Sequence, residues 1–166
     1  MSGETELKTE AKILKFIDDI QVKLDKLHIT HADYPKDIKE ALNTSTEELR
    51  GLSEEACGIH GVIIHRYALY VQQEANKAQA TLKAVESYIA TLVAKEYDNY
   101  GDKYTKYEVK RSLVLSNHSH GEELNRIHIE TQALNDSFSS LAYKMTSIGN
   151  SMIELQKTKR FSNKQD

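Results

Sequence analysis

The stretch KEYDNYGDKYTKYEVKR, residues 95–111, concentrates two kinds of side chain that can hold a nucleic-acid strand. Four tyrosines fall within eleven residues at spacings of 3, 4 and 3, and five lysines or arginines lie among or beside them. Flat aromatic rings stack on unpaired bases at about 1–3 kcal/mol per base, and cations contact phosphates. The candidate DNA-contacting residues of this stretch are Lys95, Tyr100, Lys103, Tyr104, Lys106, Lys110 and Arg111.

The same tyrosines have a second interpretation. On a continuous helix their spacing would place Tyr97, Tyr100, Tyr104 and Tyr107 on one face, where they would extend an apolar seam. Gly101 argues against a continuous helix, because glycine is common just past a helix end. Four acidic residues offset the five cations and leave the stretch a net charge of +1. The residues alone therefore leave base stacking and core packing as equal alternatives.

A second cationic group lies near the end of the sequence, around Phe161. Cations at a helix C-terminus interact favourably with the helix dipole, so this group could stabilise a helix end rather than contact phosphates. Its candidate DNA-contacting residues are Lys157, Lys159 and Arg160, and Lys164 follows them.

Other site chemistry has little support in the sequence. No glutamate has a histidine three residues later, which a ferritin-like di-metal site would need. Cys57 and His60 lie one helical turn apart, but two ligands without a second pair make a weak zinc signal. Neither a P-loop nor a GxGxxG motif occurs. We therefore expect a protein that is not an enzyme and that uses no metal or cofactor.

Composition and charge limit the class of protein. The 166 residues include one cysteine and one proline, and the net charge is −3. Residues 1–55 carry 8 cations and 13 anions, whereas residues 56–166 carry 14 cations and 12 anions. A net +2 over the second part is too little to bind a polyanion, so a nucleic-acid site needs local clustering or repetition around an oligomer. The sequence has no long apolar run and no signal-peptide pattern, which predicts a cytoplasmic protein.

Three helices dominate the predicted fold. Apolar residues from Ile13 to Leu27 share one face of a first helix, residues 4–27. A loop over residues 28–45 contains Pro35 and, within it, a possible helical turn at residues 37–42. We expect this loop to separate an acidic N-terminal arm, residues 1–45, from a helical domain of residues 46–166 that oligomerises and binds DNA.

The second and third helices carry heptad seams. The second begins near Ser45 or Ser53, and its seam is Ile64, Ala68, Val71, Ala75, Ala78, Leu82, Val85, Ile89 and Leu92. After a polar break ending at Gly121, the third continues through Leu124, Ile127, Thr131, Leu134, Phe138, Leu141, Met145, Ile148, Met152 and Leu155. At 1.5 Å per residue this helix would be about 50 Å long. Residues 103–115 between them form a shorter helix or an extended segment.

Seams of this length predict an all-α, elongated helical bundle that assembles as a homo-oligomer. The third helix needs a long partner, which could be the second helix, other subunits, or both, and one small monomer core would not cover the two seams. The predicted oligomerisation residues are Leu82, Val85, Ile89, Leu134, Phe138, Leu141, Met145 and Ile148.

The order of these features resembles a known family, the UvsY-type recombination mediator proteins of T-even-like phages. In that pattern a long helix ends in an aromatic stretch closed by glycine, a short apolar segment and a polar break follow, and a long helix ends in a basic tail. The matching segments here are Leu92-Val-Ala-Lys-Glu-Tyr97-Asp-Asn-Tyr100-Gly101, Tyr107-Glu-Val-Lys-Arg-Ser-Leu113-Val-Leu115-Ser116 and Gln156-Lys157-Thr158-Lys159-Arg160-Phe161. The resemblance covers roughly residues 50–163.

The resemblance implies a ring-shaped homo-oligomer, a hexamer or heptamer, in the cytoplasm of a phage-infected bacterium. It would bind single-stranded DNA and help a RecA-like recombinase to displace the single-strand binding protein. One departure concerns a basic element of the family that aligns with residues 92–96, where Lys95 is the one cation and Glu96 opposes it. A coiled-coil scaffold or assembly chaperone without DNA affinity is the alternative function.

Overall fold

The regular elements of the described residues are all helices, which confirms the predicted all-α class. The computed structural model describes residues 3–27, 34–100 and 104–162. A short 3₁₀ helix, Tyr97–Asn99, lies between the fourth and fifth α-helices. The α-helices are α1 Gly3–Asp25, α2 Lys36–Asn43, α3 Thr46–Gly51, α4 Glu54–Glu96, α5 Tyr107–Asn117 and α6 Gly121–Ser162.

Both serines that could begin the second predicted helix begin a helix. The Ser45 hydroxyl accepts a hydrogen bond from the backbone N–H of Glu48, and the Glu48 carboxylate accepts one from the backbone N–H of Ser45. This capping box starts the short α3. The Ser53 hydroxyl accepts from the backbone N–H of Ala56 at 3.1 Å and starts α4. The predicted second helix is therefore two helices.

The break before α6 depends on a glycine. The His118 carbonyl accepts a hydrogen bond from the Gly121 N–H at 3.0 Å. A Cβ on Gly121 would overlap the backbone carbonyl of Leu115, so only glycine fits at this turn. The chain before the turn, including Ser112–Ser116, is helical in α5, which removes the extended alternative for that segment.

The two long helices bury the predicted seams. α4 has 43 residues and α6 has 42, so each is about 60 Å long, whereas about 50 Å was predicted for the third helix. Eight of the nine seam residues of α4 are buried, and Leu82 is half-buried. On α6, Leu134, Leu141 and Leu155 are half-buried and Ile148 is 38% exposed, while the other six are buried.

The chain forms two compact units, and neither follows the boundary predicted at residue 45. The first unit combines Met1–His28 with Asn76–Asn135, and the second combines Ile29–Ala75 with Asp136–Asp166. The N-terminal helix therefore packs with the second half of α4 and does not stand apart as an arm. Its apolar face was predicted correctly, but nothing in that face indicates which helix will cover it.

Four helices meet in the core of the first unit. α1, α4, α5 and α6 each contribute side chains, and Phe16, Tyr88, Tyr100 and Leu134 pack around them. Full burial of an isoleucine is worth about 1.5–3 kcal/mol, so α1 is a major part of this core. The buried members are Ile13, Ile17, Ile20, Leu24, Val85, Ile89, Leu92, Val93, Val114, Leu115, Leu124 and Ile127.

In the second unit α4 and α6 pack antiparallel through glycines. A Cβ on Gly61 would lie 2.7 Å from Ile153 Cδ1, and one on Gly149 would lie 2.9 Å from the His65 ring. Gly58 meets the Gln156 side chain in the same way. These contacts move backwards along α6 as α4 advances. Glycine inside a helix ordinarily weakens it, but Gly58 and Gly61 let these two helices approach closely.

The predicted oligomerisation residues are mostly covered within one chain. Val85, Ile89, Phe138 and Met145 are buried, and Leu82, Leu134 and Leu141 are half-buried. In the second unit the pairing of α4 with α6 provides this cover, and in the first unit the packing of α1, α4, α5 and α6 provides it. Of the eight predicted oligomerisation residues, only Ile148 is exposed.

Candidate nucleic-acid interface

The chain between α4 and α5 does not continue the helical seam. α4 ends at Glu96, the 3₁₀ turn covers Tyr97–Asn99, and Tyr100 has extended backbone angles of φ −129° and ψ 115°. α5 begins only at Tyr107. The four tyrosines therefore cannot form the single stripe that a continuous helix would give. Lys103 lies outside the described residues.

Tyr100 does not fit the predicted stacking role. Its side chain is half-buried and packs against the core of the first unit. A ring used for core packing has less of its face available to a base. For Tyr100 the core-packing alternative is therefore the better interpretation.

Tyr104, Lys106 and Tyr107 form an exposed group directly before and at the start of α5. Tyr104 is 80% exposed and Tyr107 is 45% exposed. Lys106 is also exposed, and its backbone carbonyl accepts from the N–H groups of Val109 and Lys110 at 3.1 Å each. These bonds fix the backbone of Lys106 at the helix start and leave its ammonium to solvent. We call these three residues the tyrosine–lysine surface.

Lys110 does not fit the predicted phosphate-contacting role, because its side chain is only 1% exposed. It lies on the inner face of α5, four residues before the buried Val114. That spacing is the sequence signal that could have placed it inside.

Arg111 is half-buried and lines a small cleft between α5 and the start of α6. The cleft has a volume of about 180 Å³, and Ser112, Asn125 and Glu122 also line it. Because Glu122 lines the same cleft as this guanidinium, the attraction of Arg111 for a phosphate there is reduced.

Lys95 is exposed in the last turn of α4 and remains a candidate contact. The neighbouring Glu96 is half-buried, and its carboxylate accepts a hydrogen bond of 2.6 Å from the Asn99 side chain. Asn99 thereby provides a local partner for the acid that opposes Lys95 in the sequence.

Three cations of the C-terminal group have partners inside the second unit, and Lys164 lies outside the described residues. The Lys159 ammonium donates to the Arg50 carbonyl at 2.7 Å, and Arg160 lies 3.8 Å from Glu54. Lys157 pairs with Glu154 one turn earlier at 2.7 Å. These contacts join the end of α6 to α3 and the start of α4, which favours helix stabilisation over phosphate contact for Lys159 and Arg160. Phe161 is 70% exposed beside them.

Cys57 and His60 give no open site. Cys57 is fully buried, so its thiol is not accessible to a substrate. His60 Nδ1 is buried and has no hydrogen-bond partner. Within residues 3–27, 34–100 and 104–162, no group of three histidine, cysteine or acidic side chains could hold a metal ion. The same residues contain no helix that is long and apolar enough to cross a membrane.

Comparison with protein-family models, with curated proteins and with solved structures finds no match. The functional argument therefore depends on the side chains themselves. Of the ten predicted DNA-contacting residues, the structure brings Tyr104 and Lys106 together on one exposed segment. It adds Tyr107, whose exposure the helical-stripe interpretation did not predict.

Proposed function

We propose that this chain binds single-stranded DNA through the tyrosine–lysine surface and acts as a recombination mediator. In this role it would assemble as a homo-oligomeric ring and help a RecA-like recombinase to displace the single-strand binding protein. The DNA-binding part is supported by one observation above all: two exposed tyrosines flank an exposed lysine at the start of α5. The mediator part is supported by the resemblance of residues 50–163 to the UvsY-type family.

Such a surface suits an unpaired strand better than a duplex. Every base has a face on which tyrosine can stack, so binding through Tyr104 and Tyr107 would tolerate any sequence. One well-exposed ammonium between them gives weak phosphate attraction. Binding per copy is therefore weak, and several copies on one strand would supply the affinity through multivalency.

A scaffold without DNA affinity is the second candidate function. Exposed apolar side chains on α4 and α6 favour it, because they offer contact area for other protein surfaces. The largest exposures are those of Leu69, Tyr143 and Phe161. This candidate predicts an assembly that does not bind oligonucleotides at low salt.

A salt-dependent fluorescence-anisotropy titration with labelled oligo-dT tests the proposal. Tyr104→Leu combined with Tyr107→Leu should weaken binding with little change in the salt slope, since stacking contributes about 1–3 kcal/mol per base and is not ionic. Lys106→Ala should instead reduce the slope of log affinity against log salt by about 0.7 for each bound copy.

Two exposed residues outside the surface serve as controls. Tyr143 is 77% exposed on α6, so Tyr143→Leu removes a comparable ring elsewhere. Lys83 is exposed on α4, so Lys83→Ala removes a comparable charge. Equal losses in the controls and in the test variants would show that DNA contacts the protein elsewhere. No binding by the unaltered chain at low salt would favour the scaffold.

A further inference from the structure

α4 carries a second line of apolar residues, on the side opposite its buried seam. The residues follow steps of 4, 3, 4 and 3, which keeps them on one face of the helix. Ile59 is 50% exposed, Val62 is 46% exposed and Leu69 is 66% exposed. We call this line the outer α4 stripe, and its members are Glu55, Ile59, Val62, Arg66 and Leu69.

The stripe forms one wall of an open groove in the second unit. Ile59, Val62 and Arg66 line it from α4, Ile153 and Gln156 from α6, and Asp37 from α2. Its volume is about 660 Å³, enough to admit several side chains of another helix. A groove with an apolar floor and charged ends is the kind of surface on which an amphipathic helix docks.

Glu55 and Arg66 carry opposite charges and lie symmetrically about the apolar pair Ile59 and Val62, and Leu69 follows Arg66. Glu55 precedes Ile59 by four residues, and Arg66 follows Val62 by four. Both charged side chains are exposed, and neither has an ion-pair partner among the residues that the structure describes. From Glu55 to Arg66 the stripe therefore has the order acid, apolar, apolar, base, and an antiparallel copy presents the order base, apolar, apolar, acid.

We propose that a second copy of this chain docks on the outer α4 stripe with its own α4 antiparallel. In one register Glu55 faces Arg66 of the second copy while Ile59 faces Val62 of the second copy. A two-fold axis repeats both contacts in reverse, as an isologous dimer interface requires. The two ion pairs flank four apolar side chains and would be partly shielded from water.

The charge pattern decides between this arrangement and its alternatives. A parallel pair would place Glu55 beside Glu55 and Arg66 beside Arg66, and such like-charge contacts are unfavourable. Sliding the antiparallel pair by one heptad would place Val62 against Arg66 and leave Glu55 facing Gln73. Of these three arrangements, only the first pairs Glu55 with Arg66 on both sides and joins Ile59 with Val62.

This interface differs from the oligomerisation seam predicted from the sequence, whose residues are mostly covered within the chain. It also does not depend on DNA binding. Self-association can be measured without an oligonucleotide, and oligo-dT binding can be measured separately. Failure of one proposal therefore leaves the other standing.

Sedimentation-velocity centrifugation of the full chain tests the dimer by charge reversal. Glu55→Arg alone and Arg66→Glu alone should each weaken association by about tenfold or more, because each creates two like-charge contacts in the symmetric dimer. The double variant carrying both changes should associate as the unaltered chain does. Lys83→Glu makes the same charge change as Arg66→Glu, at an exposed position of α4 outside the stripe, and should not change association.

An equimolar mixture of the two single variants is the sharpest arm of the experiment. One variant presents two arginines and the other presents two glutamates, so the mixture should form a heterodimer at concentrations at which each variant alone associates about tenfold or more weakly than the unaltered chain. Circular dichroism of each variant would check that its helices persist. Single variants that sediment like the unaltered chain, a mixture that stays dissociated, or an unaltered chain that is monomeric at tens of micromolar would each overturn the proposal.

Discussion

The tyrosines in and near residues 95–111 have different environments in the structure. Tyr100 packs on a core, Tyr104 is 80% exposed, and Tyr88, which precedes the 95–111 stretch, stacks on Phe16 with ring centroids 4.3 Å apart and planes inclined by 12°. The spacing of the tyrosines in residues 95–111 predicted a cluster of rings. It could not predict which rings are exposed, because their exposure depends on where α4 ends. Tyr104 and Lys106 were predicted as contacts, whereas burial removes Lys110 and makes Tyr100 a core residue.

Two half-buried tyrosines, Tyr88 and Tyr34, predict a loss of stability at alkaline pH. Burial raises the pKa of Tyr88 above its ordinary value of 10.0, because the neutral phenol is favoured in the folded state. Below about pH 10 the phenol is neutral in both states; above it the unfolded chain ionises first, so the free energy of unfolding falls as pH rises.

Urea unfolding at a series of alkaline pH values measures this effect. Tyr88→Phe should make the fall in stability less steep, since that ring no longer titrates. The fall should not vanish, because burial also raises the pKa of Tyr34. If the pH dependence of stability were unchanged in Tyr88→Phe, the pKa of Tyr88 would not be raised in the folded state.

At the level of elements, periodicity predicted the helices but left open which surfaces would cover their apolar faces. The seam from Ile64 to Leu92 is buried as expected, and the break at Gly121 starts α6 as expected. The second helix was one of the partners expected for the third, but the antiparallel contact through Gly61 and Gly149 was not predicted, because a glycine in a heptad pattern is compatible with either a weak point or a close contact. Pairing within the chain is what made oligomerisation unnecessary for covering most of the seams.

Gly121→Ala should destabilise the first unit. A Cβ there overlaps the backbone of Leu115, and backbone cannot rotate away as a side chain can. We expect a cost of at least about 1–3 kcal/mol, as in other overpacked sites. Gly51→Ala is the matched control, because nothing lies within 4 Å of the Cβ that it adds. The melting temperature of Gly121→Ala should be clearly lower than that of Gly51→Ala. Equal melting temperatures would show that the turn between α5 and α6 can adjust to the added Cβ.

For the whole molecule, the main difference from the sequence analysis concerns α1. The acidic N-terminal segment was predicted to be an arm joined by a loop, because Pro35 interrupts the helical pattern after it. α1 instead supplies Ile13, Ile17, Ile20 and Leu24 to the core of the first unit. Composition and charge could not show this, since an amphipathic helix carries the same pattern whichever surface covers it.

Removal of residues 1–45 should therefore unfold the first unit rather than leave the remaining chain intact. The truncation would uncover Val85, Ile89 and Ile127, and each buried aliphatic side chain contributes about 1.5–3 kcal/mol. Circular dichroism should show a non-cooperative melt, and a dye that binds exposed apolar surface should fluoresce. A truncated protein with the melting profile of the full chain would show that α1 is dispensable.

The central claim is that single-stranded DNA stacks on the tyrosine–lysine surface. The most direct measurement is photocrosslinking of the full chain to oligo-dT in which one thymine is replaced by 5-iodouracil, followed by mass spectrometry of the crosslinked peptides. The account predicts adducts on Tyr104 or Tyr107, lost when that tyrosine is replaced by leucine. Adducts confined to Phe161 and its neighbours, or no crosslink under low-salt conditions, would contradict it.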